Sequence, residues 1–267
     1  MTPAAPSPAL PGTRPEGSRD EREATARVRE MFARIAPRYD FLNHLLSFSL
    51  DRVWRRRTAR HFRDVLQEPG ARVLDICCGT GDLAFALAEL RRRGNSSGEA
   101  AREGPAAPVM GSDFVEPMLA RAREKARAGQ HAAVFAAADA LRLPFPDASF
   151  DLITSAFGFR NLANYEQGLR EIARVLRTGG QVGILEFSEP GTGLMAALFR
   201  FYLRRILPWI GAAISGDREA YAYLPSSVAK FPSASELTDL LERCGYGDIR
   251  VTAWNFGSVV LHSARRT

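Results

Sequence analysis

An apolar run, Val73-Leu74-Asp75-Ile76-Cys77-Cys78, passes straight into Gly79-Thr80-Gly81-Asp82 and then into residues 83–90, which carry helical patterning. Glycine at 79 and 81 lets a backbone turn tightly and approach a ligand that a Cβ would hold off. The loop therefore points to a cofactor, although a purely structural strand-to-helix turn favours glycine too. The third glycine of a full GxGxxG is missing, with Leu83 or Ala84 in its place, so a nicotinamide dinucleotide is the weakest candidate.

Polar residues recur where later strands should end. Pro108-Val109-Met110-Gly111-Ser112-Asp113 closes on a carboxylate, the position that accepts two ribose hydroxyls in a βαβ nucleotide fold. Asp113 could equally cap the helix expected over 116–128, which has Pro117 in its first turn. A third strand, 133–138, leads to Asp139-Ala140, and a fourth, 150–157, leads to Gly158-Phe159-Arg160-Asn161. Open parallel sheets bind ligands beyond the carboxyl ends of their strands, so these groups would share one crevice.

The elements that position them alternate as short apolar strands and helices from 70 to 188, which indicates an α/β fold with a mostly parallel sheet covered on both faces. The fifth strand is expected at 181–188, after a helix over 165–176 and a turn at Thr178-Gly179-Gly180. Ser233 and Glu236 form a capping-box start for a later helix that stops near Gly245, and the chain closes with a hairpin, 249–255 and 258–263, around Phe256-Gly257. The domain reading is a disordered tail over 1–20, with five prolines, followed by one domain over 21–267. Within it lie a helical cap (21–67), a surface insertion (91–107) that lengthens the path to Asp113, and a helical lid (191–230).

Three cysteines in 267 residues are too few for a disulfide framework, and none has zinc-ligand spacing. Reduced thiols and a cytoplasmic location are the reading; no metal is expected. The net charge of +6 is concentrated, with Arg52, Arg55, Arg56, Arg57, Arg60 and Arg63 on one helix and Arg200, Arg204 and Arg205 inside the apolar run 194–214. Three arginines and Pro208 bar that run from spanning a bilayer. It suits the lid of an apolar pocket, a helix lying on an anionic membrane surface, or core packing with snorkelling arginines. No nucleic-acid reading module accompanies the basic residues.

Three segments together resemble the ubiquinone/menaquinone biosynthesis C-methyltransferase family: Tyr39-Asp40-Phe41-Leu42-Asn43-His44-Leu45-Leu46-Ser47 with Trp54 downstream; the loop from Asp75 to Asp82; and Arg174-Val175-Leu176-Arg177-Thr178-Gly179-Gly180 through Glu186-Phe187-Ser188. The resemblance covers roughly residues 25–265, and the first and third segments are more specific than the loop. Within the family, the likeness is greatest to members that methylate demethylmenaquinol. It implies a seven-stranded, Rossmann-like fold that binds S-adenosylmethionine and C-methylates a prenylated quinol ring.

Carried over by position, the implied cofactor residues are Gly79, Thr80 and Gly81 in the loop, Asp113 on the ribose, and Asp139 with Ala140 beside the adenine. The implied catalytic residues are Arg160, Asn161 and Tyr39, although Arg160 also suits a structural salt bridge and Tyr39 core packing. Ala156 stands where some members have serine, Leu42 replaces a frequent methionine, and His44 differs from many relatives. Expected partners are the quinol, transient contact with the anionic inner face of the membrane, and a homodimeric copy. The rival readings are a methyltransferase for another apolar phenol or lipid, and a non-catalytic cofactor-binding subunit of a quinone-biosynthesis assembly.

Overall fold

The computed structural model describes residues 12–15, 17–95, 107–188, 193–202, 205 and 218–267. Seven strands form one sheet in the order β3-β2-β1-β4-β5-β7-β6. These are β1 (Val73–Ile76), β2 (Val109–Asp113), β3 (Ala133–Ala137), β4 (Phe150–Ala156), β5 (Leu176–Phe187), β6 (Tyr246–Trp254) and β7 (Val259–Arg266). The first five run parallel, and β7 inserts antiparallel between β5 and β6. Every residue of β1 is buried, and so are six of the seven in β4. Such unbroken apolar runs belong to central strands with helices on both faces.

The helices are α1 (Glu21–Ile35), α2 (Tyr39–Leu46), α3 (Leu50–His61), α4 (Arg63–Gln67), α5 (Asp82–Asn95), α6 (Glu116–Gly129), α7 (Tyr165–Val175), α8 (Leu194–Phe201), α9 (Arg218–Lys230) and α10 (Ala234–Arg243). One core face packs Leu169, Ile172 and Leu240 of α7 and α10 against Ile76 and Ile184, and the other packs Phe62 and Leu87 against Val73 and Leu152. A third cluster, with Met31, Ile35, Leu42 and Leu46, seats α1 and α2 on Val115 and Met118. That contact hangs the N-terminal helices over the carboxyl edge of the sheet. Trp54 fastens α3 to the far end of the chain by donating to Asn255 Oδ1 at 2.7 Å.

Local signals explain several boundaries. Asp20 accepts the Glu23 amide at the start of α1, Asn164 caps α7 through the Gln167 amide, and Ser233 with Glu236 closes a reciprocal capping box on α10. The strand expected at 181–188 begins earlier, at Leu176. Its pairing jumps from Phe150–Leu176 to Leu152–Gln181, so the expected turn residues Thr178, Gly179 and Gly180 are absorbed as an irregularity within the strand. The closing hairpin is likewise longer than its apolar pattern suggested, with Asn255–Gly257 as the turn.

Two further departures concern the tail and the insertion. Residues 1–11 lie outside the described residues, but Thr13 is only 2% exposed, donates its amide to Leu162 O at 2.8 Å and meets Tyr223 Oη at 3.3 Å. The proline-rich composition that suggested disorder thus ends in a segment held by the body. At the insertion, α5 continues to Asn95, and Arg91 is buried with its guanidinium donating to the carbonyls of Leu66, Ala71 and Ala107. Residues 96–106 lie outside the described residues, as do 191–192, 203–204 and 206–217 of the proposed lid.

Candidate functional site

The crevice opens where the strand order reverses, between β1 and β4. Beyond β1 the backbone enters the left-handed region at Cys77 (φ 49°), Gly79 (φ 54°) and Gly81 (φ 88°), and beyond β4 it does so at Phe157 (φ 59°). At Cys77 and Phe157, which carry a Cβ, this backbone is strained, and such strain collects at binding sites. The two turns touch: a Cβ on Gly158 would lie 2.5 Å from Cys77 Cβ, so only glycine allows this approach. Gly81 is similarly restricted, since a Cβ there would meet the Phe135 ring at 2.8 Å. The resulting cavity encloses about 890 Å³, counting solvent at its mouth.

Of the residues picked out from sequence, Tyr39, Gly79, Thr80, Asp113, Asp139, Ala140 and Asn161 line this cavity, whereas Gly81 and Arg160 do not. Asp113 does both things its position allowed. One carboxylate oxygen accepts the Gly79 amide at 2.9 Å and the other accepts the Val115 amide at 2.9 Å, leading into α6, while the group still faces the cavity. Burial pushes its pKa upward, against the backbone amides that favour the anion. Asp139 receives the Leu141 amide at 2.9 Å. Asp75 also lines the cavity: it is buried on β1, accepts from Thr154 Oγ1 at 2.8 Å, and has its pKa pushed up to about 7 by desolvation.

Arg160 sits one layer behind the cavity and is 5% exposed. Its guanidinium pairs with Glu186 Oε2 at 2.8 Å and donates to Phe157 O, and its amide donates to Glu186 Oε1 at 3.0 Å. This geometry makes Arg160 a clasp on the turn that carries Asn161. The Asn161 side chain accepts the Tyr223 hydroxyl at 3.0 Å. Burial pushes the Tyr223 phenol up, and with its one proton given to Asn161 the Tyr223 oxygen accepts from the Thr13 hydroxyl at 3.3 Å. Tyr39 is also raised by burial, although its bond with Asn43 and the charges of Arg160 and Arg55 oppose the shift.

A polar network missed from sequence secures the glycine loop. Lys125 Nζ, on α6, lies 2.5 Å from Asp82 Oδ1, 2.9 Å from Asp40 Oδ2 and 3.2 Å from Thr80 Oγ1, and Thr80 in turn donates to Asp40. Arg55 pairs with Asp51 and lies 3.9 Å from Asp82. His44, Asp51 and Asp82 bring three ligand atoms within 4.8 Å, but the Arg55 guanidinium already sits among them, and a metal ion would face like charge. Thr80, Asp82, Asp40 and Arg55 stood out in the sequence separately, in the loop, the Tyr39–Ser47 segment and the basic helix, but nothing local joined them: the partners of Asp40 are 40 or more positions away. Cys77 and Cys78 are raised well above the ordinary thiol range, mainly by burial and then by Asp113 and Asp75, which opposes nucleophilic thiolate chemistry.

A buried carboxylate at a strand end, a close-approach glycine loop and a partly apolar wall fit a small ligand that carries a ribose. Residues 19–266 match the model of the ubiE/COQ5 methyltransferase family. The chain is 47% identical to a demethylmenaquinone methyltransferase of Deinococcus radiodurans, over 89% of this chain and 92% of that one. It is 44% identical to a protein of the same name from Thermus thermophilus, over 88% and 100%. A SAM-dependent methyltransferase of Thermotoga maritima shares the fold, with a TM-score of 0.59 at 16% identity, over 90% of this chain and 100% of that one.

Proposed function

The chain belongs to the ubiE/COQ5 methyltransferase family, and from that membership we propose the C-methylation of a prenylated quinol, converting a demethylmenaquinol to menaquinol with S-adenosylmethionine as donor. The observation that carries this reading is one cavity, at the sheet's reversal point, lined by the Asp113 carboxylate, the glycine loop, Asn161 and Tyr39. The bound donor supplies a methyl group already activated by its sulfonium charge.

The protein's own residues have three tasks. Asp113 accepts the ribose hydroxyls, Asp139 and Ala140 flank the adenine, and Gly79, Thr80 and Gly81 shape the loop around the charged end. Tyr39 and Asn161 hold the acceptor ring so that its nucleophilic carbon lies in line with the methyl group at about 3 to 3.5 Å. A phenolic proton passing to water would make that carbon nucleophilic; the carbon–carbon bond would form as the carbon–sulfur bond breaks, and the ring hydrogen at that carbon would leave as a proton to restore the quinol, which requires the reduced ring. The Asn161 side-chain N–H then stabilises the developing phenolate, while Arg160, paired with Glu186, fixes the turn that presents Asn161.

The acceptor's apolar tail calls for transient contact with the inner face of the membrane by a cytoplasmic protein. Among the described residues, no helix is long and apolar enough to cross a membrane. A homodimer is also proposed, and sedimentation velocity tests it. For the activity, purified protein should transfer labelled methyl from S-adenosylmethionine to the ring of a chemically reduced demethylnaphthoquinol. Binding of the donor without ring methylation would favour a non-catalytic subunit instead.

A further inference from the structure

We infer that the corner formed by α2 and α3 is a docking face for anionic lipid, which rests on the membrane-borne acceptor proposed above. Phe41 and Phe48 are 61% and 76% exposed, and Leu45, one turn after Phe41, is exposed beside them. Tyr202 ties α8 to this corner: its hydroxyl donates to Leu46 O at 2.6 Å and its ring centroid lies 6.1 Å from that of Phe48. The end of α8 adds Phe201, 58% exposed. Isolated exposed apolar residues are ordinary, but exposed rings that α2, the turn after it and the end of α8 bring to one corner mark an interaction surface.

Charge identifies the occupant. Arg52, Arg56 and Arg60 recur every four residues along α3, forming one exposed stripe that lines a groove against α5. Among the described residues, no carboxylate or carbonyl engages their guanidinium groups. The carboxylates that share the groove, Asp40, Asp82 and Glu89, are engaged by Lys125, Arg92 and Arg93, which leaves the arginine charge for phosphates, while the exposed rings of α2 and α8 suit the acyl boundary of an anionic bilayer. The face also adjoins the site: Tyr39 begins α2, and Arg55 lines both the ligand cavity and the arginine groove. A lipid-soluble acceptor leaving the bilayer at α2 reaches the cavity without crossing bulk water.

The experiment is co-sedimentation of the full chain with vesicles of phosphatidylcholine alone or mixed with phosphatidylglycerol. Wild type should bind only the anionic vesicles, more weakly as salt rises. Combined Arg52→Gln, Arg56→Gln and Arg60→Gln should lower affinity by about fivefold per arginine, roughly a hundredfold in total. Phe48→Asn, which suits the left-handed backbone there (φ 52°), should also weaken binding. Both variants should keep wild-type methylation of a tail-less quinol, which separates docking from folding and chemistry. Equal binding by wild type and variants would overturn this surface while leaving a membrane-borne acceptor intact. No vesicle binding by wild type would overturn the membrane contact itself, and methylation of the tail-less quinol would still test the reaction separately. A variant that instead changes the sedimentation coefficient would assign the face to self-association, also overturning the proposal.

Discussion

Tyr223 donates its hydroxyl to the Asn161 side-chain oxygen at 3.0 Å, and this fixes which end of the amide is free for the cavity. With the oxygen occupied, the N–H end is left to meet a developing negative charge; a flipped amide would present a repelling oxygen. Tyr223→Phe should therefore lower kcat by about two- to tenfold, the range of one net hydrogen bond. Affinity for S-adenosylmethionine should not change. Steady-state kinetics alongside calorimetry checks the split, and an unchanged kcat would reduce the hydroxyl to a packing role.

Asp113 is expected to govern donor affinity. Asp113→Ala should weaken S-adenosylmethionine binding by about 1 to 3 kcal/mol. Asp113→Asn keeps an acceptor oxygen and should lose less. Isothermal calorimetry on both variants reads this directly, and an unchanged dissociation constant for the alanine variant would move the ribose elsewhere.

Arg160 and Glu186 form a buried pair, so removing one member strands the other. Arg160→Ala should cost about 3 to 5 kcal/mol of stability in urea unfolding. Turnover should fall as the Asn161 turn loosens, with donor affinity retained. Normal turnover in a folded Arg160→Ala protein would take the residue out of the mechanism.

Asp75 should leave a pH signature. Its native pKa, about 7, lies above the ordinary value of 3.8, so the folded state holds this proton more tightly than the unfolded state. Stability should consequently fall as pH rises from about 4 to 7 and level off above, with an upper limit on the order of 4 kcal/mol. Asp75→Asn should flatten that slope. Urea unfolding of both proteins at pH 5 and pH 8 makes the comparison, and parallel slopes would show that Asp75 is not responsible.

Much of the sheet and the cavity floor was legible because both follow from local order. Short buried strands read as unbroken apolar runs, and a polar residue after each run falls on the carboxyl edge, which is how Asp113, Asp139 and Asn161 were found. Lys125 and Asp51 were not found, and Arg55 was read only as one of a basic helix's charges, because on an exposed-looking helix nothing local distinguishes a charge that reaches across to the loop from one that points to water. Arg91 misled for a related reason: it opens a polar stretch, yet its carbonyl partners lie on α4 and at the loop ends, distant in sequence. Thr13 was hidden by its proline-rich neighbours, whose composition says nothing of the one threonine that inserts beside Leu162.

Arg91 grips Leu66, Ala71 and Ala107 at once. Its last partner stands just after the segment 96–106, and β2 starts two positions later. The entry to β2 is therefore moored independently of how many residues intervene, and a peptide tag or reporter module spliced between 96 and 106 should leave the reactive chamber undisturbed.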